Sequence, residues 1–187
     1  MRNVILAVMV SLDGFFEAPG DDSEKLDWHR ADDEWEDYSV ELLGGADTLL
    51  FGRRTYEGFA GFWPAQEGEV ARLLNEIPKV VFSTTLTEAT WQHSRVVRDH
   101  IPDAVMQLKA APGGDILVFA SADLAATLTR HGLIDEYRVA VNPVVLGAGT
   151  AFFKGGDDRL DLRLLGTRMF RSGIVELRYA PEKEKGA

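Results

Sequence analysis

The chain has 187 residues, 45% hydrophobic and 27% charged, with 30 acidic and 20 basic side chains and a formal net charge of −10. That size and mixture predict a single folded domain and exclude a disordered chain. A pI near 4.8 argues against nucleic acid and anionic membranes as partners. With no cysteine, the chain has no disulfides, thiolate metal sites or cysteine nucleophiles, and a reducing, cytoplasmic location is expected.

No apolar run approaches the roughly 18 residues of a membrane span. Residues 4–12 are too short and only Arg2 adds charge ahead of them, so no signal peptide is expected. The charge is concentrated. Between Glu17 and Glu41 eleven acidic residues face only Lys25 and Arg30, which leaves −1 for the remainder. That block reads first as a solvated loop and helix face.

Val4 to Val10 is a continuous apolar run, as in a strand buried on both faces. Asp13-Gly14 and Ala18 to Ser23 give a long turn-rich loop. Trp35, Tyr38 and Leu42 recur at helical spacing within Ala31 to Leu43, and Gly44-Gly45 ends that helix. Thr48 to Phe51 reads as a strand running into Gly52, Thr55 to Phe62 as a helix, and Gln66 to Asn75 as another, ended by Pro78. Val80 to Ser83 and Ser94 to Arg98 are strands, and Asp103 to Ala110 is a helix. Ile116 to Phe119 is a strand, after which Ser121 is expected to cap a helix that buries Leu124 and Leu128 and stops at Gly132. Ile134 to Val145, Leu160 to Gly166 and Gly173 to Tyr179 alternate as strands, and residues 181–187 form a polar tail.

Strands separated by helices up to residue 133 imply right-handed crossovers and a mostly parallel sheet. The closing strands lack intervening helices and add an antiparallel edge. The expected fold is α/β, with about eight strands, flanking helices and one domain over residues 1–180.

Dinucleotide, nucleotide-triphosphate, hydrolase and zinc-protease signatures are absent. The four histidines never pair at i, i+4, so no metal site is expected. What remains is three strand-to-helix junctions, and open α/β sheets bind ligands at the carboxyl ends of their strands. At Gly52-Arg53-Arg54-Thr55 the glycine permits the turn, and two guanidinium groups and a hydroxyl sit at a helix N-terminus suited to phosphate. Ser83-Thr84-Thr85 follows one strand, and Ala120-Ser121-Ala122 joins another to a helix. Each also has a plainer reading: surface arginines in salt bridges, and a hydroxyl-rich turn with its cap.

The ordered elements Ser11-Leu12-Asp13-Gly14, Gly52-Arg53-Arg54-Thr55-Tyr56-Glu57, Val80-Val81-Phe82-Ser83, Gly132-Leu133-Ile134-Asp135-Glu136-Tyr137 and residues 142–149 (NPVVLGAG) carry a resemblance. Together they are similar to the dihydrofolate-reductase-like family that includes the C-terminal reductase domain of the bifunctional riboflavin-biosynthesis deaminase–reductase. The resemblance covers nearly the whole chain. It implies the dihydrofolate reductase fold, NADPH across the strand ends, a small-molecule substrate and a homodimer.

Carried over, Gly52, Arg53, Arg54 and Thr55, with Ser83, Thr84 and Thr85, would hold the pyrophosphate and the adenosine 2′-phosphate. Ala120, Ser121 and Ala122 would meet the pyrophosphate from the last crossover helix. Asp13 would begin a mobile loop over the nicotinamide, and Phe59, Phe62 and Trp63 would wall the substrate side. Thr150, just after the Gly147-Ala148-Gly149 turn, is a candidate polar partner whose plainer reading is a simple turn hydroxyl. The family has glycine where this chain has Ala120, and dihydrofolate reductases hold a cis peptide there. Here the turn is either relaxed or strained.

In dihydrofolate reductases a carboxylate on the helix after the mobile loop serves proton transfer. On a wheel of about 100° per residue, Asp32 and Glu36 lie on one flank of the buried arc, whereas Asp33 and Asp37 face solvent. Asp32 and Glu36 are therefore the candidate catalytic carboxylates. The expected activity is NADPH-dependent reduction of a pterin-like or riboflavin-pathway aminopyrimidine. The alternative is a catalytically silent binding protein that keeps the fold.

Overall fold

The computed structural model describes residues 1–21, 24–153 and 159–182. Strand β1 (Val4–Ser11) is buried along almost its whole length, as its unbroken apolar sequence requires. It leads through a turn to the short β2 (Phe15–Glu17) and then to α1 (Asp33–Gly44). Next come β3 (Ala46–Gly52), α2 (Arg53–Phe62), a 3-10 turn at Trp63–Ala65, α3 (Glu69–Glu76) and β4 (Lys79–Phe82). Strand β5 (Ser94–Val97), α4 (Ile101–Ala110), β6 (Asp115–Phe119) and α5 (Ala122–Arg130) complete the alternating part. The chain closes with β7 (Glu136–Asn142), β8 (Thr150–Ala151), β9 (Leu162–Met169) and β10 (Val175–Pro181).

The main sheet has eight strands in the order β5-β4-β3-β6-β1-β7-β10-β9. Strands β5 to β7 pair in parallel, while β10 pairs antiparallel with both β7 and β9. This is the expected α/β architecture with an antiparallel edge. The two additions are β2 and β8, which pair antiparallel in a separate ribbon. Each is too short to carry a periodic signature. Residues 22 and 23 of the expected loop, and 183–187 of the expected tail, lie outside the described residues.

The sheet is covered on both faces. One face carries Leu6, Leu50, Val118 and Tyr137 against Val105, Leu124 and Leu128. The other carries Ile5, Leu49, Phe51 and Leu117 against Tyr38, Leu42, Tyr56 and Leu74. Parallel pairing then places the carboxyl ends of β4, β3, β6 and β1 along one edge: Gly52 is level with Phe82, and Ala7 with Phe119.

The opposite edge is held by buried cations. Arg2 donates to the carbonyl of Gly114 at 2.7 Å and to Thr48 Oγ1 at 2.8 Å, and pairs with Asp47. Lys109 pairs with Asp135, whose carboxylate also accepts from the Val4 amide at 2.8 Å.

Lys79 is 1% exposed. Its Nζ donates to the carbonyls of Asn75 and Gln92 and lies 4.3 Å from the centre of the Trp91 ring. Burial lowers its pKa from 10.5 to about 8. Between those values the unfolded chain holds a proton that the folded lysine has released, so stability rises with pH, by at most about 3 kcal/mol. Lys79→Met is expected to abolish that rise, which urea unfolding of both proteins at pH 7.5 and pH 10 measures.

Candidate functional site

Three strand ends supply the polar groups. Strand β3 stops at Gly52 and α2 begins at once, with no side-chain cap and no acidic residue in its first turn. Strand β6 stops at Phe119, and the chain turns through Ala120 and Ser121 into α5. The first amides of any helix lack intrahelical partners. Here two such ends lie side by side, because Ser121 Oγ accepts from the Gly52 amide at 3.0 Å.

That bond corrects one expectation. Ser121 occupies the N-cap position of α5, but its hydroxyl does not cap that helix. Its backbone is left-handed (φ +53°), so the hydroxyl serves the neighbouring strand end instead. Ala120 is left-handed too (φ +42°), and the described residues contain no cis peptide. Two successive left-handed residues other than glycine store strain at the turn, about 1–2 kcal/mol each.

Arg53 and Arg54 are exposed on the first turn of α2, and Thr55 is half-buried. Arg53 donates to Glu57 and to Thr85 Oγ1, both at 2.8 Å. Ser83, Thr84 and Thr85 follow β4. Ser83 Oγ accepts from the amides of Thr85 (3.2 Å) and Leu86 (2.9 Å), which fixes the turn and brings Thr85 to Arg53. The structure therefore brings Gly52, Arg53, Ser83, Thr85 and Ser121 together. Its donors are amides, guanidinium groups and hydroxyls, a set matched to phosphate oxygens. Both plainer readings hold as well: Arg53 is in a salt bridge, and Ser83 organises a turn.

Beside these donors runs a chain of aromatic rings. Phe51, fully buried, stacks with Phe119 at 6.3 Å between centroids; Phe119 meets Phe59 at 5.9 Å, and Phe59 meets Trp63 at 6.2 Å. Phe62, about half exposed, meets Trp63 edge-on at 5.1 Å. Phe59, Phe62 and Trp63 thus form one wall, and Phe119 joins it. In the sequence Phe119 reads as core, as a strand-end phenylalanine does, and nothing there marks it as part of this wall.

Asp13 works on the loop it begins. Its carboxylate accepts from Ser11 Oγ (2.7 Å) and from the amides of Leu146 (3.1 Å) and Gly147 (2.7 Å). Those bonds, the serine's above all, hold its pKa below the ordinary value. Thr150 lies in the ribbon, in register with Glu17, and Glu17 Oε2 stands 3.7 Å from Arg54 Nη2.

The two candidate carboxylates separate. Asp32 is the N-cap of α1, with its side chain accepting from the Trp35 amide at 3.0 Å. It lines an open cleft of about 560 Å³ with Arg30, Ala31, Asp33, Arg171 and Ser172. Glu36 is exposed and faces the loop at Gly68. The carboxyl that is held inward is Glu176 on β10, 2% exposed and hydrogen-bonded by the Tyr38 hydroxyl. Burial raises its pKa to about 7, against the opposing effect of Arg178. It is level with Ala140, itself level with Met9, so it lies two strands away from β1. In the sequence it occupies the polar phase of an alternating strand, which reads as solvent-facing; α1 covers that face.

The comparisons with known proteins agree with this fold. The family model for the RibD C-terminal domain matches residues 2–176. The chain belongs to that family. The uncharacterized protein YyaP of Bacillus subtilis (strain 168) is 35% identical over 183 residues, 95% of this chain and 94% of its own. A pyrimidine reductase-like protein from Corynebacterium diphtheriae has the same fold, with a TM-score of 0.70 at 13% identity over 98% of this chain and 93% of that one. A deaminase/5-amino-6-(5-phosphoribosylamino)uracil reductase from Thermotoga maritima superposes with a TM-score of 0.68 at 13% identity. The match takes in 97% of this chain but 57% of that bifunctional one.

Ala120→Gly relieves a left-handed alanine and is expected to stabilise the protein by about 1 kcal/mol, read as a higher midpoint in urea unfolding. Glu176 keeps its proton in the folded chain up to about pH 7, whereas the unfolded carboxyl, near 4.5, has already lost it. Stability therefore falls as pH rises between those values, by up to about 3 kcal/mol. Glu176→Gln imitates the protonated form, so it is expected to be the more stable protein at pH 8 and nearly equal to the parent at pH 4.5.

Proposed function

We propose that this protein is an NADPH-dependent reductase of a small heterocyclic substrate, pterin-like or an aminopyrimidine of the riboflavin-pathway type. The observation that carries the reading is the meeting of two uncapped helix starts, α2 and α5, beside Arg53 and Arg54. The RibD C-terminal family supports it, as does the reductase in the name of the T. maritima relative.

NADPH, when bound, supplies a hydride. The donor set fits its phosphates. First-turn amides of α2 and α5, with Arg54, Thr55 and the Ala120–Ala122 turn, would hold the pyrophosphate, and Arg53 with Ser83, Thr84 and Thr85 would hold the 2′-phosphate. Phe59, Trp63, Phe62 and Phe119 would present flat apolar surface to a planar ring and exclude water from it. The Asp13-clamped loop and the ribbon with Thr150 would cover the same edge. Reducing a C=N or C=O bond also needs a proton, and Asp32 is better placed than Glu36 to handle it because it lines a cleft.

A second reading, binding without catalysis, is favoured by one observation: Ala120 brings a methyl group to a strained turn where the family has glycine. Oxidation of NADPH by dihydrofolate or a diaminopyrimidine separates the two readings.

Arg53→Ala is expected to weaken NADPH binding about tenfold, the loss of one charge-assisted contact of about 1.4 kcal/mol. NADH, without the 2′-phosphate, is expected to lose less than threefold. Fluorescence titration with both dinucleotides measures this, and an equal loss for the two would refute the assignment.

A further inference from the structure

We infer that Glu17 is an internal stand-in for phosphate, occupying Arg54 in the free protein and thereby setting the affinity of the α2 edge for anions. The inference rests on the reading of that edge as a phosphate site.

Helix α2 brings no acid of its own to its first turn and has no side-chain cap, so the positive end of its dipole is unanswered from within the helix. An answer comes from a different element. Glu17 closes β2, and its Oε2 lies 3.7 Å from Arg54 Nη2. The two ends of this pair are unlike: the Glu17 side chain is 20% exposed, that of Arg54 74%. The carboxylate is the fixed partner and the guanidinium the open one.

Three features fix the backbone that carries this carboxylate. Glu17 is in register with Thr150 across the ribbon. Its carbonyl oxygen packs so closely on Gly149 (φ +146°) that a Cβ at that position would collide with it. One turn earlier, Asp13 accepts from the amides of Leu146 and Gly147 and ties the loop before β2 to the loop before β8. The ribbon therefore holds a negative charge at the entrance to the proposed phosphate site.

An incoming phosphate and Glu17 carry the same sign and seek the same guanidinium. Binding must break the Glu17–Arg54 pair and tolerate the nearby carboxylate. Because the pair is open to solvent, it is worth at most about 1 kcal/mol, which corresponds to roughly fivefold in affinity.

Removing the charge without changing the shape tests this. Glu17→Gln is expected to bind inorganic pyrophosphate and NADPH three- to fivefold more tightly than the parent, with the gain lost in an Arg54→Ala background. Glu17→Ala keeps the backbone ladder and serves if the glutamine variant unfolds early, as thermal melting would reveal. Unchanged or weaker pyrophosphate binding in both Glu17 variants overturns the inference, and so does a gain that persists without Arg54. Failure of the reductase reading has a different signature. There the parent binds no nicotinamide dinucleotide, while pyrophosphate still responds to Glu17 as described.

Discussion

Parallel pairing of β4, β3, β6 and β1 is the constraint on which the site depends. Adjacent parallel strands must end on the same side, and each crossover helix must then begin there. Two helix starts reach one place because β3 and β6 are neighbours, and the Gly52 amide to Ser121 Oγ bond locks their junctions together. A serine that capped its own helix would have satisfied an α5 amide and left Gly52 without that partner. The left-handed turn at Ala120–Ser121 costs strain, and neither α2 nor α5 receives a side-chain cap at its start.

Charge is distributed along the same axis. Buried or half-buried cations brace the far edge: Arg2 with Asp47, and Lys109 with Asp135. The acidic block of residues 17–41 is more than a solvated face. Glu34 pairs with Arg171 and accepts from its amide, Glu41 pairs with Arg168, and Arg168 lies over the rings of Tyr38 and Phe170. Basic residues of β9 and of the turn that follows it thus neutralise part of the block across α1. Each such pair is exposed and contributes little to stability, but together they orient α1 on the antiparallel edge, which places Asp32 at the cleft.

Much of the fold was legible because its signals are long. Unbroken apolar strands, helices with regular Trp35-Tyr38-Leu42 spacing and glycine stops all survive in the structure to within a few residues. The ribbon was not legible, since two- and three-residue strands have no period to read. The phosphate-type donors were legible as junction chemistry, because glycine, arginine and hydroxyl residues stand in sequence at strand ends. Contacts made by distant residues were not. The wheel places Asp32 and Glu36 on the flank of α1, but it cannot show that one oxygen of Asp32 caps the helix. Nor does the alternation of β10 reveal that its polar phase, with Glu176, lies under α1.

The distribution of acids therefore bears directly on how proton delivery could work. Glu176 has the pKa suited to an acid near neutrality, yet Tyr38 and two strands stand between it and the aromatic wall. A carboxyl that cannot touch a ligand delivers no proton to it, so its protonation is a matter of stability. Asp32 has the opposite character: it reaches a cleft, but one oxygen is engaged with the Trp35 amide. Hydride transfer asks mainly for placement and dryness, and on the proposed reading the rings from Phe51 to Phe62 would provide both. On the proposed reading a water taken up in the cleft that Asp32 and Ser172 line would satisfy the same chemistry without a dedicated carboxylic acid.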